Sequence, residues 1–218
     1  MAALTQSIAR NAIGLGLFAV ITAGTIAVTH GVTEHRIQEQ IRDAEAGALL
    51  EIIPEARHDN DLLEDSVPVG PSDRLGLTEP AFAHVARQDG KASGVILPAV
   101  APDGYSGAIH LLVGIDADGR VLGVRVTQHH ETPGLGDKVE TRKTGWIYSF
   151  NGKSLGNPEP DRWAVAKDGG AFDQFTGATI TPRAVVGAVR NALLYFRDHR
   201  DTLLAPQDGS AIAHNDRG

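Results

Sequence analysis

No cysteine occurs in the 218 residues, which excludes a disulfide frame, a thiolate cluster and a CxxC metal site. Aromatic residues make up only 5% of the chain, so its core must be built mainly from Val, Ile, Leu and Ala. Basic residues are in the minority. Lys and Arg number 20 against 27 Asp and Glu, a formal net charge of −7 with a pI near 5.7. That balance argues against nucleic acid, whose binders carry a basic face. No Gly-x-Gly-x-x-Gly follows a strand pattern, and there is no Walker A sequence. A freely exchanging nucleotide in a doubly wound fold is disfavoured accordingly. No repeat period is visible, and the length suits one membrane span plus one domain of ordinary size.

What is present begins with a run free of charge, Asn11 to Thr29, flanked by Arg10 and His30. As a helix it would cover about 28 Å, close to the hydrocarbon thickness of a bilayer. A cleaved signal peptide is the competing reading, but Thr25-Ile26-Ala27-Val28-Thr29 offers no small-x-small cleavage site. The expectation is an uncleaved transmembrane helix over residues 11–30. Ala19, Ala23 and Ala27, preceded by Ala12 and Gly16, form a small-residue stripe. It suits packing against other membrane helices or a lipid-facing anchor rich in alanine, and both remain open. The flanking charges orient the span poorly: Arg10 and the amino terminus on one side, Arg36 and Arg42 on the other.

Thr33 to Ile53 reads as an amphipathic helix, with Ile37, Ile41, Ala44, Ala48 and Ile52 at helical spacing and Pro54 as a stop. It is a stalk or a helix packed on the domain, the stalk being preferred. His58 to Pro71 is acidic, Pro-bearing and without periodicity, and reads as a connecting segment. Ala81–Ala86 and Ala92–Leu97 form one hairpin around Asp89-Gly90. A second hairpin spans Ala108 to His129: Ile109–Ile115 reads as a strand buried on both faces, and Asp116-Ala117-Asp118-Gly119 supplies the turn. Leu122, Val124 and Val126 then face one way, and Arg125, Thr127 and His129 the other. Trp146–Phe150 and Trp163–Ala166 read as strands, their aromatics as core. A helix starts with Thr181 as N-cap and Pro182 in first place, and runs to about His199.

The expected organisation is a cytoplasmic tail (1–10), a membrane helix (11–30), a juxtamembrane helix and linker (31–74), a folded domain (75–200) and a mobile tail (201–218). The fold class is α+β, a mainly antiparallel sheet with flanking helices behind one N-terminal transmembrane helix. His129, His130 and Glu131 are possible metal ligands by type, but neighbouring strand residues point to opposite faces and no second cluster stands at ligand spacing. No metal site and no catalytic residue is assigned.

The stretch with chemical content is Asp173-Gln174-Phe175-Thr176-Gly177-Ala178-Thr179, just before the helix. Unpaired N–H groups and the macrodipole at a helix start favour an anion, so a hydroxyl there is placed to carry or contact a phosphate. A turn-and-cap element is the plainer reading of the same residues. Asp-x-x-(Ser/Thr)-Gly-Ala-(Ser/Thr) resembles the attachment motif of the covalent FMN-binding domains found in the G subunit of the Rnf ion-translocating electron-transport complex. The C subunit of the sodium-pumping NADH:quinone reductase shares it. His130-Glu131-Thr132-Pro133-Gly134-Leu135-Gly136 resembles a second stretch of that domain. The match spans most of the chain and fits the Rnf G subunit better than the longer sodium-pump subunit. A flavin-bearing membrane regulator is a further alternative, though such proteins carry extra spans and cysteine-rich segments.

The resemblance implies FMN in phosphoester linkage to Thr179, added by a Mg-dependent flavin transferase, with Asp173, Thr176, Gly177 and Ala178 as the recognition sequence. It implies that the 131–136 loop lies beside the flavin, Glu131, Thr132 and Gly134 offering polar or backbone contacts and Leu135 packing near the isoalloxazine. It further implies a single-pass subunit of the bacterial inner membrane with its domain on the periplasmic side. Such a subunit relays electrons between membrane and peripheral partners, and the complex couples ferredoxin/NAD-type electron transfer to ion movement.

Overall fold

In a computed structural model of the chain, which describes residues 11–26, 30 and 46–206, two compact units divide at Glu45/Ala46. In the first, residues 11–26 are helical and exposed. The Thr22 and Thr25 hydroxyls donate to the carbonyls of Phe18 and Ile21, so neither leaves a polar group without a partner. Among the described residues no helix is long and apolar enough to cross a membrane. Residues 27–29 of the expected span, and 33–45 of the expected amphipathic helix, lie outside the described residues.

The second unit is organised by an antiparallel meander of β1 (Ser66–Val69), β2 (Ala81–Gln88), β3 (Lys91–Ala101), β4 (Ile109–Asp116) and β5 (Val121–Gln128), in that spatial order. Both expected hairpins form. Asp89 and Gly90 take positive φ (52° and 73°), the geometry a two-residue turn needs, and Gln88 pairs with Lys91. Gly119 likewise takes φ 83° between β4 and β5. β1 falls in the segment read as a connection. Its four residues, one of them Pro68, are too few to show alternation, and pairing with β2 makes the strand.

One face of the sheet carries the C-terminal helix, Ile180–Leu203. Val185, Val189, Ala192, Leu193 and Phe196 bury against Val85, Val95, Leu97, Leu111, Val113 and Ile115. The other face is covered by residues 46–53, whose Leu49, Ile52 and Ile53 pack with Leu62, Ala86 and Ile96. The described end of the amphipathic segment is thus packed on the domain rather than standing off it as a stalk. β4 is buried on both faces over Val113–Ile115 for this reason, while His110 stays exposed. Gly114 and Gly123 make the close approach possible, since a Cβ at Gly114 would lie 2.1 Å from Ile52 Cγ2.

Three further readings need correction. Leu122 does not share a face with Val124 and Val126: the β4–β5 register shifts at Gly114/Ile115, and that bulge sends Leu122 to the Ile52 side while Val121, Val124 and Val126 stay on the helix side. Trp146–Phe150 is a 3₁₀-helix rather than a strand. Ile147 and Phe150 bury at i, i+3 spacing, which the alternating aromatics of the sequence disguise. Around Trp163–Ala166 only Val165 makes a bridge, to Phe172, before a 3₁₀ turn closes at Gly169. At the far end the long helix leaves helical geometry at His199 (φ −122°, ψ 16°), near its expected stop. Beyond it Leu203 is buried and the Ala205 carbonyl accepts from Arg87 Nη2 at 3.0 Å. Residues 207–218 lie outside the described residues.

Candidate functional site

The stretch 173–179 is a short loop braced by its own apolar and amide groups. Phe175 is buried and meets the Trp146 ring edge-to-face, centroids 5.1 Å apart. The same indole donates from Nε1 to the Asp173 carbonyl at 2.8 Å. The Gln174 side-chain oxygen accepts from the Lys167 N–H at 3.0 Å. Phe175 and Ala178 then bridge across Thr176-Gly177, with Gly177 at φ 83°, the third position of a turn that requires positive φ. That requirement is the physical reason for the glycine. Asp173 and Thr176 are exposed, while Ala178 and Thr179 are half-buried.

Thr179 is the N-cap residue of the long helix, and its side chain makes no capping hydrogen bond. The helix therefore begins two residues earlier than expected, and Thr181 is not its cap. Thr181 lies within the first turn, buried, its hydroxyl turned away to Glu131 Oε2. Pro182 follows in the first turn, where a missing N–H still costs nothing. First-turn N–H groups and a hydroxyl at Thr179 share one end of a 24-residue helix, which suits an anionic group.

The 131–136 loop is brought against this stretch. A Cβ placed on Gly177 would lie 3.6 Å from Leu135 Cδ2, so the two loops touch there. Leu135 is 42% exposed and Ile180 44%, and Thr132 and Gly134 are exposed as well. Leu135, Ile180 and Gly177 together leave an apolar, backbone-lined margin beside Thr179. Glu131 is different. It is 4% exposed, and both oxygens serve the protein: Oε1 accepts from the Ser106 N–H at 2.9 Å, Oε2 from the Thr181 hydroxyl.

Beneath the loop lies an ionic frame. The Gly134 N–H, with Lys143 beside it, holds the Asp137 carboxyl below its usual range. Arg142 and then His129 do the same for Glu140. His129 Nδ1 accepts from the Glu131 N–H, so its Nε2–H is free to donate to Glu140 Oε1 at 2.9 Å. His129 is thereby part of the loop's frame, while His130 is exposed. Among the described residues no group of three or more His, Asp or Glu side chains is gathered as for a metal ion. At the other side Arg183 binds Asp168 through two hydrogen bonds, 2.7 and 3.0 Å, and lowers that carboxyl's pKa.

Sequence reasoning missed Trp146 and Thr181 as parts of this site. Trp146 was legible only as an aromatic, and the Thr181 hydroxyl was assigned to capping. Their partners are distant in sequence, at Asp173 and Glu131, so local pattern carries no signal for them.

Residues 104–194 match the family of FMN-binding domains, and residues 1–52 match the RnfG N-terminal region. Curated relatives agree along nearly the whole chain. The G subunit of the ion-translocating oxidoreductase complex of Pseudomonas aeruginosa is 55% identical over 96% of this chain and 98% of its own length. The proteins of the same name from Shewanella loihica and Vibrio vulnificus are 49% and 46% identical, each over 92% of this chain and 95% of theirs. Sequence, match and fold converge: this chain belongs to the family of G subunits of ion-translocating oxidoreductase complexes.

Proposed function

We propose that this chain is a membrane-anchored flavoprotein subunit that holds FMN as a phosphoester on Thr179 and relays electrons inside a complex that couples their flow to ion translocation. The observation that carries the reading is the uncapped Thr179 at the start of the helix, beside Gly177 and the exposed Leu135 and Ile180, within the FMN-binding match. FMN supplies one- or two-electron transfer, and the protein supplies position and potential.

The chain's own groups divide the work. Phe175, Gln174 and Gly177 shape the loop, leaving the exposed Asp173 and Thr176 side chains for the flavin transferase to read. The helix start receives the phosphate charge. Leu135 and Ile180 exclude water from one side of the ring, with Thr132 and Gly134 as polar and backbone contacts; Glu131, its oxygens already engaged, acts by holding these pieces together. Covalent tethering keeps the cofactor in a dilute compartment where a freely bound one would be lost by mass action.

The folded domain is proposed to stand on the periplasmic side of the bacterial inner membrane, tethered by the apolar helix that includes residues 11–26. Electrons pass between other membrane and peripheral subunits of the Rnf-type complex, in a ferredoxin/NAD type of reaction; this chain binds neither ferredoxin nor NAD itself. Intact mass of denatured full-length protein, coexpressed with a flavin transferase, tests the reading. The expected gain is one FMN minus water, mapped by fragmentation to Thr179 and absent in Thr179→Ala. Covalent flavin persisting in Thr179→Ala would refute the site.

A further inference from the structure

We infer that Glu131 and Thr181 form a buried clasp that sets the distance between the flavin-side loop and the Thr179 anchor, so that Glu131 is a positioning residue acting through Thr181 rather than a ligand of the cofactor. The inference rests on FMN being carried at Thr179.

Three segments far apart in sequence meet at one carboxylate. Oε1 takes the Ser106 N–H of the β3–β4 loop at 2.9 Å, and Oε2 takes the Thr181 hydroxyl of the helix's first turn. The residue's own backbone N–H is bound to His129 Nδ1 at 3.0 Å, which fixes where the side chain starts. Glu131 and Thr181 are 4% and 1% exposed, so water does not replace either bond. Two glycines are shaped around the junction. A Cβ on Gly136 would stand 2.7 Å from Glu131 Oε2 and 2.8 Å from Thr181 Oγ1, and one on Gly104, which would first meet the Gly107 carbonyl oxygen at 2.2 Å, would also stand 3.0 Å from Glu131 Oε1. The second glycine of Pro133-Gly134-Leu135-Gly136 is therefore explained by the clasp rather than by a turn, since its φ is not among the positive ones.

The consequence reaches the site through short paths. Thr181 is two residues from Thr179, and Gly136 is next to Leu135, whose methyl group borders Gly177. Holding Thr181 to Glu131 holds the apolar wall and the anchor in register. A loosened clasp leaves the tether intact and lets the ring sample more than one position.

The test uses the full-length chain in detergent, prepared with and without coexpressed flavin transferase, as wild type, Thr181→Val, Thr181→Ser and Glu131→Gln. Without flavin, amide exchange in a peptide covering residues 176–186 should quicken about tenfold in Thr181→Val and stay at the wild-type rate in Thr181→Ser. With flavin, Thr181→Val and Glu131→Gln should keep the covalent mass but lose about twofold in flavin visible circular dichroism, with a shifted midpoint potential. Thr181→Ser should again match wild type. Unchanged exchange in Thr181→Val would overturn the clasp. Faster exchange with an unchanged flavin signature and potential would overturn the positioning role and leave only a structural bond. An unmodified wild-type mass would overturn the Thr179 reading, and the positioning role with it, while the exchange data would still show whether the clasp exists.

Discussion

Replacing Gly136 by Ala puts a methyl group into the junction of Glu131 and Thr181, and its cost follows from the distances. The new Cβ would stand 2.7, 2.8 and 2.9 Å from Glu131 Oε2, Thr181 Oγ1 and Glu131 Cβ, all well inside van der Waals contact. Glu131 has no room to retreat, because Oε1 is held by the Ser106 N–H at 2.9 Å and Gly104 closes the far side. Overpacking of this kind costs about 1–3 kcal/mol. Separating the hydroxyl from the carboxylate leaves a buried acceptor short of a donor, about 1–3 kcal/mol. One displacement causes both, so they overlap; the reduced freedom of the unfolded Ala chain offsets about 0.4–1 kcal/mol. The net expectation is a loss of about 2–3 kcal/mol, or roughly 4–12 °C in Tm for a unit of this size. Urea unfolding followed by tryptophan emission reads it directly, since both tryptophans, Trp146 and Trp163, sit in the aromatic cluster with Phe150 and Phe172. Adding Thr181→Ala makes room for the methyl group, so the pair should cost less than the sum of the two changes. A loss under about 1 kcal/mol with an unchanged denaturant slope would refute the packing argument.

Other outcomes follow from the same structure. Thr176→Ser should retain covalent flavin, because the attachment motif accepts either hydroxyl there, and intact mass decides it. Arg87 and Asp65 are a buried pair, Nε to Oδ2 2.7 Å with side chains 8% and 7% exposed, and Arg87 Nη1 is buried without a partner. Arg87→Met should cost about 3–5 kcal/mol by chemical denaturation, and Arg87→Met with Asp65→Leu should recover most of it. Arg142 and then His129 hold the Glu140 carboxyl below its ordinary value. A carboxyl lowered in the folded state adds stability above its unfolded pKa and loses it as pH falls through the folded one. Melts of Glu140→Gln should thus lose less stability than wild type between about pH 5 and pH 3, and parallel acid limbs would contradict this.

The chain's order and its local chemistry were settled by the sequence itself. Turn residues such as Asp89-Gly90 and Gly119 need positive φ, and short apolar runs stand on either side of them, so both hairpins and the antiparallel class were readable. The glycine of the 173–179 stretch and the helix that follows were equally local. What the sequence could not contain is which distant groups share a bond. Trp146 at the Asp173 carbonyl, Glu131 on Thr181, and Ile52 filling the space over Gly114 all join segments tens of residues apart. The bulge that turned Leu122 to the other face is a property of the pairing between β4 and β5, and neither strand alone shows it. Thr181 makes the division plain. Local rules place a threonine before a proline as a cap, whereas burial next to a carboxylate makes its hydroxyl a cross-link, because a buried donor goes to the acceptor that packing supplies.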